Sequence, residues 1–205
     1  MFPRLRTVLA AAALFAVTAL IVPHMQFAAA VKAVAPEEQE PTQMRGPDVV
    51  FVGTPYDVIS MMLEMADIKT TDMVYDLGCG DARILVLATQ KYGARGVGYD
   101  IDPERVIESR QNVAKNNLQS MIKIIQADIF DLDLKEADVM PLYLHPDMMA
   151  RLVPQVEQMK PGSRIVTHEY GFPDIYKPDK RVTVISNEDQ AEHHLMLYTL
   201  PLKRE

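Results

Sequence analysis

The sequence has little cysteine, no tryptophan and a deficit of basic residues. Cys79 is the single cysteine among 205 residues, which excludes an internal disulfide and a cysteine-rich zinc site. Lys and Arg number 21 against 28 Asp and Glu, so the formal net charge is −7. Because an acidic chain repels phosphate backbones, no nucleic-acid partner is expected. Hydrophobic residues make up 48% and charged residues 24%, a balance that predicts one globular domain rather than a disordered chain.

Long apolar runs are also scarce, and the one that stands out lies near the N-terminus. Residues 7–22 carry no charge, follow Arg4 and Arg6, and precede three alanines at 28–30. This arrangement is typical of a secretory signal peptide over residues 1–30. An uncleaved membrane anchor stays open as the alternative. The sixteen apolar residues rise about 24 Å as a helix, against a hydrocarbon core of ~30 Å.

The charges around this run predict where the rest of the chain lies. Basic residues precede the run and three glutamates follow it, so the positive-inside rule places an exported domain outside the cytoplasm, either periplasmic or membrane-anchored. Membrane contact is then expected only through the N-terminal segment, and the domain stays cytoplasmic if the leader is not used. Residues 31–48 hold three prolines and no apolar period, which predicts a linker before a domain at 49–205.

From residue 49 onward, short apolar runs alternate with helical patterns. Five runs are predicted to be strands separated by helices, an alternation that favours βαβ units and a parallel sheet. Two further runs, at 181–186 and 194–200, are joined by a turn and predict a C-terminal antiparallel hairpin. Thr54 is predicted to cap the first helix. The five strands are expected at 73–77, 94–99, 121–126, 138–144 and 164–170.

The first predicted strand leads into a turn with two glycines. Asp76 lies at the strand end, and Gly78 and Gly80 let a ligand approach the backbone of the turn closely. A carboxylate at Asp76 suits the ammonium group of a cationic ligand. The third glycine of the dinucleotide fingerprint is replaced by Arg83, so this fingerprint is incomplete.

The second and third strands are followed by acidic residues as well. A carboxylate about twenty residues after the glycine turn suits a bidentate contact to ribose hydroxyls, which makes Asp100 the candidate. Ile101 beside it suits packing on an adenine face, and Asp128 suits the exocyclic amine of an adenine. Ligands of open α/β sheets bind at the carboxyl ends of the strands, where all of these residues are expected.

The stretch 74–81, Val-Tyr-Asp-Leu-Gly-Cys-Gly-Asp, resembles the first motif of class I S-adenosylmethionine-dependent methyltransferases. Asp100 matches the acidic end of that family's second strand, and Asp128-Ile129 matches its third-strand motif. The resemblance implies a Rossmann-like, doubly wound, seven-stranded and mostly parallel sheet. It also implies S-adenosylmethionine as the cofactor, with Ile129 among its contacts. One departure is Ala82, which stands where the family usually has a glycine.

A narrower resemblance concerns the methyl acceptor. Thr54-Pro55-Tyr56 before the first strand, together with Gly-Cys-Gly-Asp-x-Arg, is similar to small protein-lysine methyltransferases. It implies a lysine amine as the acceptor and adds Tyr56 to the expected cofactor contacts. The residues alone leave the acceptor open between a protein and a small molecule. The absence of an Asn/Asp-Pro-Pro-aromatic motif after the fourth strand disfavours nucleobase and glutamine-amide methylation.

Methyl transfer requires an unprotonated acceptor that is aligned with the cofactor. If the cofactor lies over the first three strand ends, the acceptor enters over the fourth and fifth. His145, His168 and Glu169 are therefore the predicted catalytic residues, with Tyr143 and Tyr170 beside them.

Other sites and functions are weighed against this interpretation. His193 and His194 predict no metal site, because neighbouring residues of a strand point to opposite faces. Two other functions stay open. One is an exported binding module that has the fold without turnover, and the other is a nicotinamide-dependent dehydrogenase, which the incomplete glycine fingerprint disfavours.

Overall fold

The computed structural model describes residues 45–174 and 176–204. These residues belong to one compact unit, Thr42–Glu205. The predicted leader at 1–30 and most of the predicted linker at 31–48 lie outside the described residues. Among the helices that are described, none combines the length and apolarity needed to cross a bilayer.

A seven-stranded sheet forms the centre of the domain. Its strands are β1 (Met73–Leu77), β2 (Arg95–Asp100), β3 (Ile122–Gln126), β4 (Val139–Leu142), β5 (Arg164–His168), β7 (Lys180–Ile185) and β8 (Glu192–Thr199), and a separate pair joins β6 (Tyr176–Lys177) to β9 (Lys203–Arg204). The strand order in the sheet is β3-β2-β1-β4-β5-β8-β7. The first five strands of this order are parallel, and β8 runs antiparallel to both β5 and β7. The predicted parallel sheet with a reversed C-terminal hairpin is confirmed.

Helices cover both faces of this sheet. One buried cluster joins the sheet to α1, α2 and α3 through residues such as Val58, Leu85 and Val106. A second cluster joins the opposite face to α4 through Met149 and Leu152. Burial on both faces explains why the strands are nearly continuous apolar runs rather than alternating ones. The helices are α1 (Tyr56–Met65), α2 (Arg83–Tyr92), α3 (Pro103–Lys115) and α4 (Pro146–Val156), with a 3-10 turn at Ile129–Asp131.

The helix ends follow the predicted chemistry in most places. Gly93 ends α2 in the left-handed conformation, with φ 70°, and Asp102 caps α3 by accepting a hydrogen bond from the Glu104 N–H. The predicted Thr54 cap is wrong, because Pro55 takes the capping position of α1. The Thr54 hydroxyl lies instead 3.2 Å from Nδ1 of His168, so a tertiary hydrogen bond replaces the local one.

Strands β4 and β5 end two residues earlier than the sequence patterns predict. Tyr143, Glu169 and Tyr170 therefore belong to loops beyond the sheet rather than to its strands. Glu169 has φ 62°, which no regular strand allows for a residue with a side chain. The chain thus turns sharply at the end of β5, at the edge of the sheet where ligands of this architecture bind.

Candidate active site

A cleft lies at the carboxyl ends of β1, β2, β3 and β4. The cleft contains most of the predicted cofactor residues, which come from three separate strand ends and meet only through the parallel sheet. The predicted residues in its lining are Asp76, Gly78, Asp100, Ile101, Asp128 and Ile129, whereas Gly80 is not part of the lining. Cys79, Asp81 and Leu144 also line the cleft.

The turn between β1 and α2 forms the floor of the cleft. Gly78 and Gly80 have φ values of 73° and 54°, which only glycine adopts without strain. The N–H groups of Gly78 and Cys79 both donate to the carbonyl of Tyr99, at 2.8 and 2.9 Å, so the turn is fixed against β2. A Cβ at Gly80 would lie 2.0 Å from the ring of Phe51. Ala82 also has a left-handed φ, 61°, which gives a physical reason for the glycine usual at this position.

Asp76 is a buried carboxylate without a complete set of partners. It is 3% exposed, and its Oδ2 has no hydrogen-bond partner among the residues that the structure describes. Burial, together with the nearby charges of Asp100 and Asp81, raises the pKa of Asp76 to about 8. An unpaired buried charge is costly, so this position favours a ligand that brings a positive charge and N–H donors to the cleft.

Asp100 lies at the end of β2 and faces the same cleft. Its Oδ2 accepts the Gly80 N–H at 2.9 Å, and its Oδ1 accepts the Asp102 N–H at 3.0 Å. These bonds fix the orientation of the carboxylate, and each oxygen keeps a lone pair for a ligand hydroxyl. Burial raises the pKa of Asp100, although the two backbone donors act against that effect.

Asp128 has protein partners for both of its oxygens. It caps the 3-10 turn by accepting the Phe130 N–H at 3.0 Å. Arg45 forms a two-pronged ion pair with it, one bond of which measures 3.0 Å. The hydrogen bond from Arg45 lowers the pKa of Asp128. An adenine amine would share this carboxylate with the guanidinium of Arg45, so the predicted contact of Asp128 with adenine stays a prediction.

The segment 45–54 runs along the cleft and supplies nine of its lining residues, although the sequence pattern predicts no ligand contact for it. Residues 45–48 belong to the predicted linker. Arg83, which stands at the position of the absent third glycine, holds the segment by donating to the Thr54 carbonyl at 3.2 Å. Its guanidinium also lies 5.9 Å from the centre of the Phe51 ring. In the sequence, the signal for this segment is the apolar run at 49–52, which has no helical period. In the structure, this run pairs with no described strand.

Tyr56 lies outside the cleft. Its side chain is half exposed, with the ring 5.4 Å from Cζ of Arg83. The structure thus connects Tyr56 to the cleft through Arg83 rather than directly, and a cofactor contact for Tyr56 stays a prediction.

The predicted catalytic residues lie beside the cleft rather than in its lining. His168 is buried, and its ring centre lies 4.0 Å from that of Tyr143, which does line the cleft. Burial, together with the neighbouring His193, lowers the pKa of His168 to about 4. His145 is half exposed, 3.8 Å from Asp147. Catalytic roles for His145, His168 and Glu169 therefore stay predictions.

A second, more open groove begins where these residues lie. Glu169 and Tyr170 line it, and Phe172 and Tyr198 form part of its apolar wall. Three carboxylates line the groove, against one guanidinium, that of Arg181. The carboxylates are those of Asp147, Glu169 and Asp174, and Tyr176 completes the aromatic side chains of the groove.

Strand order, reversed β8 and an acidic cleft at the strand ends together define a Rossmann-like fold of the methyltransferase type. The profile of the ANTKMT methyltransferase domain matches residues 76–180. A protein-lysine N-methyltransferase from Saccharolobus islandicus is 34% identical over 156 residues, which cover 75% of this chain and 95% of that protein. The chain belongs to the ANTKMT methyltransferase domain family, and it is an S-adenosylmethionine-dependent methyltransferase.

Solved structures agree with this assignment. An RNA methyltransferase from Salinibacter ruber, bound to S-adenosyl-L-homocysteine, is 37% identical with a TM-score of 0.68, and the match covers 75% of this chain and 97% of that one. A ribosomal protein L11 methyltransferase from Haemophilus influenzae is 30% identical over 60% of this chain, but the match covers only 42% of that protein. The names of these relatives give different methyl acceptors, and none of the three is named as a dehydrogenase or as an exported binding module.

The cleft fits the cofactor of this family. The orphaned carboxylate oxygen of Asp76 offers a place for an ammonium group. The glycine turn allows close approach to its backbone, and at Gly80 the ring of Phe51 takes that position. Asp100 presents an oriented carboxylate at the distance along the chain that suits ribose hydroxyls.

Proposed function

We propose that this chain is a protein-lysine N-methyltransferase, which transfers the methyl group of S-adenosylmethionine to the ε-amine of a lysine in another protein. The observation that carries the proposal is the groove with three carboxylates and several aromatic rings next to the cofactor cleft. Such a surface attracts a cationic side chain and packs against its methylene groups. The Saccharolobus islandicus relative, named as a protein-lysine N-methyltransferase, supports the same acceptor.

Each part of the cofactor has candidate residues in the cleft. Asp76 would accept hydrogen bonds from the ammonium group of the methionine part, and Asp100 would accept hydrogen bonds from the ribose hydroxyls. Ile101 and Ile129 would pack against the adenine, while Gly78 and Gly80 would allow close approach to the backbone. When bound, the cofactor supplies an electrophilic methyl group on a sulfonium. The residues of this chain hold it in place and exclude water from it.

The acceptor amine has to lose its proton before it attacks. The ordinary lysine pKa is about 10.4, so at neutral pH a nearby base and a low-dielectric wall both help the amine to lose its proton. Glu169 is the carboxylate of the groove that lies next to His168, with Oε1 3.5 Å from the imidazole Nε2. His168 stays neutral at pH 7 because its pKa is about 4. Glu169 is therefore the favoured proton acceptor of the pair.

Transfer of labelled methyl groups tests the acceptor class directly. Purified chain is incubated with methyl-labelled S-adenosylmethionine and separate protein, RNA and small-molecule fractions of a cell extract. We expect label in the protein fraction and methyllysine after acid hydrolysis, with none when Asp76→Asn replaces the wild type. Label in the RNA fraction alone would overturn the lysine assignment and leave the methyltransferase activity itself intact.

A substitution in the groove tests whether the groove binds the protein acceptor. Asp174→Asn removes one carboxylate from the groove without touching the cofactor cleft. We expect a higher KM for the protein acceptor and an unchanged affinity for S-adenosylmethionine. Asp133→Asn is the matched control, because Asp133 is an exposed carboxylate on the loop before β4 and pairs with Lys135. Equal KM values for the two variants would remove the groove from the acceptor site.

A further inference from the structure

Three side chains that can ligate a metal converge where β5 ends beside β8. His168 is the last residue of β5 and Glu169 follows it. His193 lies on β8, two residues before Leu195, which pairs with His168. Nε2 of His168 lies 2.8 Å from Nδ1 of His193. Oε1 of Glu169 lies 3.5 Å from the first nitrogen and 3.6 Å from the second. The three atoms therefore form a compact triangle.

The dimensions of this triangle match one metal ion. Imidazole nitrogens and carboxylate oxygens bind Zn²⁺ at about 2.0–2.2 Å, which separates the ligand atoms of a tetrahedral site by roughly 3.3–3.5 Å. Of the observed separations, the one of 3.5 Å falls in that range and the one of 3.6 Å exceeds it by about 0.1 Å. The third, between the imidazoles, has to lengthen by about half an ångström. Two histidines and one glutamate are also the protein ligands of many zinc hydrolases, and they leave one position for water.

In each imidazole, the ring nitrogen that faces away from the other histidine, its far nitrogen, also has a polar partner. Nδ1 of His168 lies 3.2 Å from the Thr54 hydroxyl, and Nε2 of His193 lies 3.1 Å from a carboxylate oxygen of Asp189. Metal-bound histidines almost always donate their second N–H to such a group, which fixes the ring and the tautomer. When Nδ1 of His168 and Nε2 of His193 carry the protons, the lone pairs of Nε2 of His168 and Nδ1 of His193 point at the same space.

The backbone around Glu169 favours the same interpretation. Its φ of 62° is unusual for a residue other than glycine, and the Glu169 N–H donates to the His194 carbonyl at 2.8 Å. The carboxylate is thereby directed back to the two imidazoles rather than into solvent. A hydrogen-bonded chain from Thr54 through both histidines to Asp189 accounts for the imidazoles without this carboxylate, whose Oε1 also accepts the His194 N–H at 3.2 Å. Strained backbone at a cluster of polar groups is typical of ligand sites.

We propose that His168, Glu169 and His193 bind one divalent transition-metal ion of the zinc class. Binding displaces the proton that His168 and His193 otherwise share and returns it to solvent. The ion joins the end of β5 to β8 and, through the hydrogen bond of His168 with Thr54, to the segment along the cofactor cleft. The inference rests on the geometry of these side chains and does not depend on which acceptor is methylated. With the ion on Oε1 of Glu169, Oε2 is the oxygen left to take the proton of an acceptor amine.

The sequence pattern predicts no metal site at His193 and His194, because neighbouring residues of a strand point to opposite faces. His193 and His194 do face opposite sides of β8, the first buried and the second exposed. The second histidine of the cluster comes instead from β5, twenty-five residues earlier.

Titration with Zn²⁺ alone tests the proposal on the full-length chain, prepared without an affinity tag and treated with a chelator. Calorimetry should give one site per chain, and Co²⁺ in place of Zn²⁺ should give the visible absorption of a four-coordinate ion. His193→Gln should weaken binding at least about a hundredfold, and His194→Gln on the opposite face should leave it unchanged. Absence of stoichiometric binding by the wild type would overturn the proposal.

A second variant keeps the test decisive if His193→Gln does not fold. Asp189 is exposed and contacts only the far nitrogen of His193 among the cluster residues. Asp189→Asn should lower the Zn²⁺ affinity by about tenfold to a hundredfold while the circular dichroism spectrum stays the same. Equal affinity in wild type and in this variant would place the ion elsewhere and refute the assignment.

Discussion

Asp76→Asn should make the ligand-free protein more stable and at the same time abolish its response to the cofactor. The wild-type carboxyl has a pKa of about 8 in the folded protein, against 3.8 ordinarily, because it is buried without a partner for Oδ2. Between these two values the folded state holds a proton that the unfolded state has released. The free energy of unfolding of the wild type therefore falls as pH rises.

The size of the effect follows from the pKa values. Each pH unit in this window is worth about 1.4 kcal/mol, so the wild type should lose up to about 4 kcal/mol between pH 5 and pH 8 relative to the variant. Asparagine has the shape of the protonated carboxyl and no charge, so Asp76→Asn should not show this loss. Water that enters the open cleft stabilises the ionised carboxylate of Asp76. We therefore expect the measured loss of wild-type stability, relative to the variant, to be about 2 kcal/mol.

Urea unfolding at pH 5 and pH 8 provides the assay, with and without S-adenosylmethionine. At a concentration a hundred times its dissociation constant, the cofactor should stabilise the wild type by about 2.7 kcal/mol and the variant by almost nothing. Parallel stability curves for both proteins across this pH range would show that Asp76 is ionised throughout and would refute the argument.

Asp138→Asn is a matched control of opposite sign at the other end of the sheet. Burial acts to raise the pKa of Asp138, but Lys160 at 2.7 Å and the Met73 N–H at 2.8 Å outweigh it and hold the pKa below its usual range. Its contribution to stability is present above the unfolded pKa and is lost as pH falls through the folded pKa. The control variant should therefore be less stable than the wild type at neutral pH.

Three further predictions concern the cofactor turn and the leader. Asp100→Asn should weaken S-adenosylmethionine binding by roughly tenfold or more, measured by calorimetry, because charge-assisted bonds to two hydroxyls become neutral ones. Gly80→Ala should lower cofactor affinity and stability far more than Gly162→Ala; both have a left-handed φ, but only at Gly80 does a Cβ meet another side chain, that of Phe51. A cleaved leader predicts a mature chain without residues 1–30, which mass spectrometry of the N-terminus checks, and retention of these residues would favour the anchor.

Local patterns in the sequence determined most of the α/β framework. The alternation of apolar runs with helical periods predicted five parallel strands and the reversed hairpin, and β1 has the predicted bounds. Gly93 and Asp102 were recognisable because a helix end depends on the few residues around it. Asp76 and the turn after it were recognisable for the same reason, since a strand, two glycines and a helix follow one another directly.

Tertiary structure alone decided which distant side chains meet. Arg45 pairs with Asp128 across eighty-three residues, and Thr54 leaves its local capping position to contact His168 across one hundred and fourteen. His168 reaches His193 only because β8 pairs antiparallel with β5 in one particular register. Register and the course of the segment 45–54 depend on the summed packing of the sheet and its helices. A local sequence pattern carries no information about that sum, so these contacts emerge only in the folded chain.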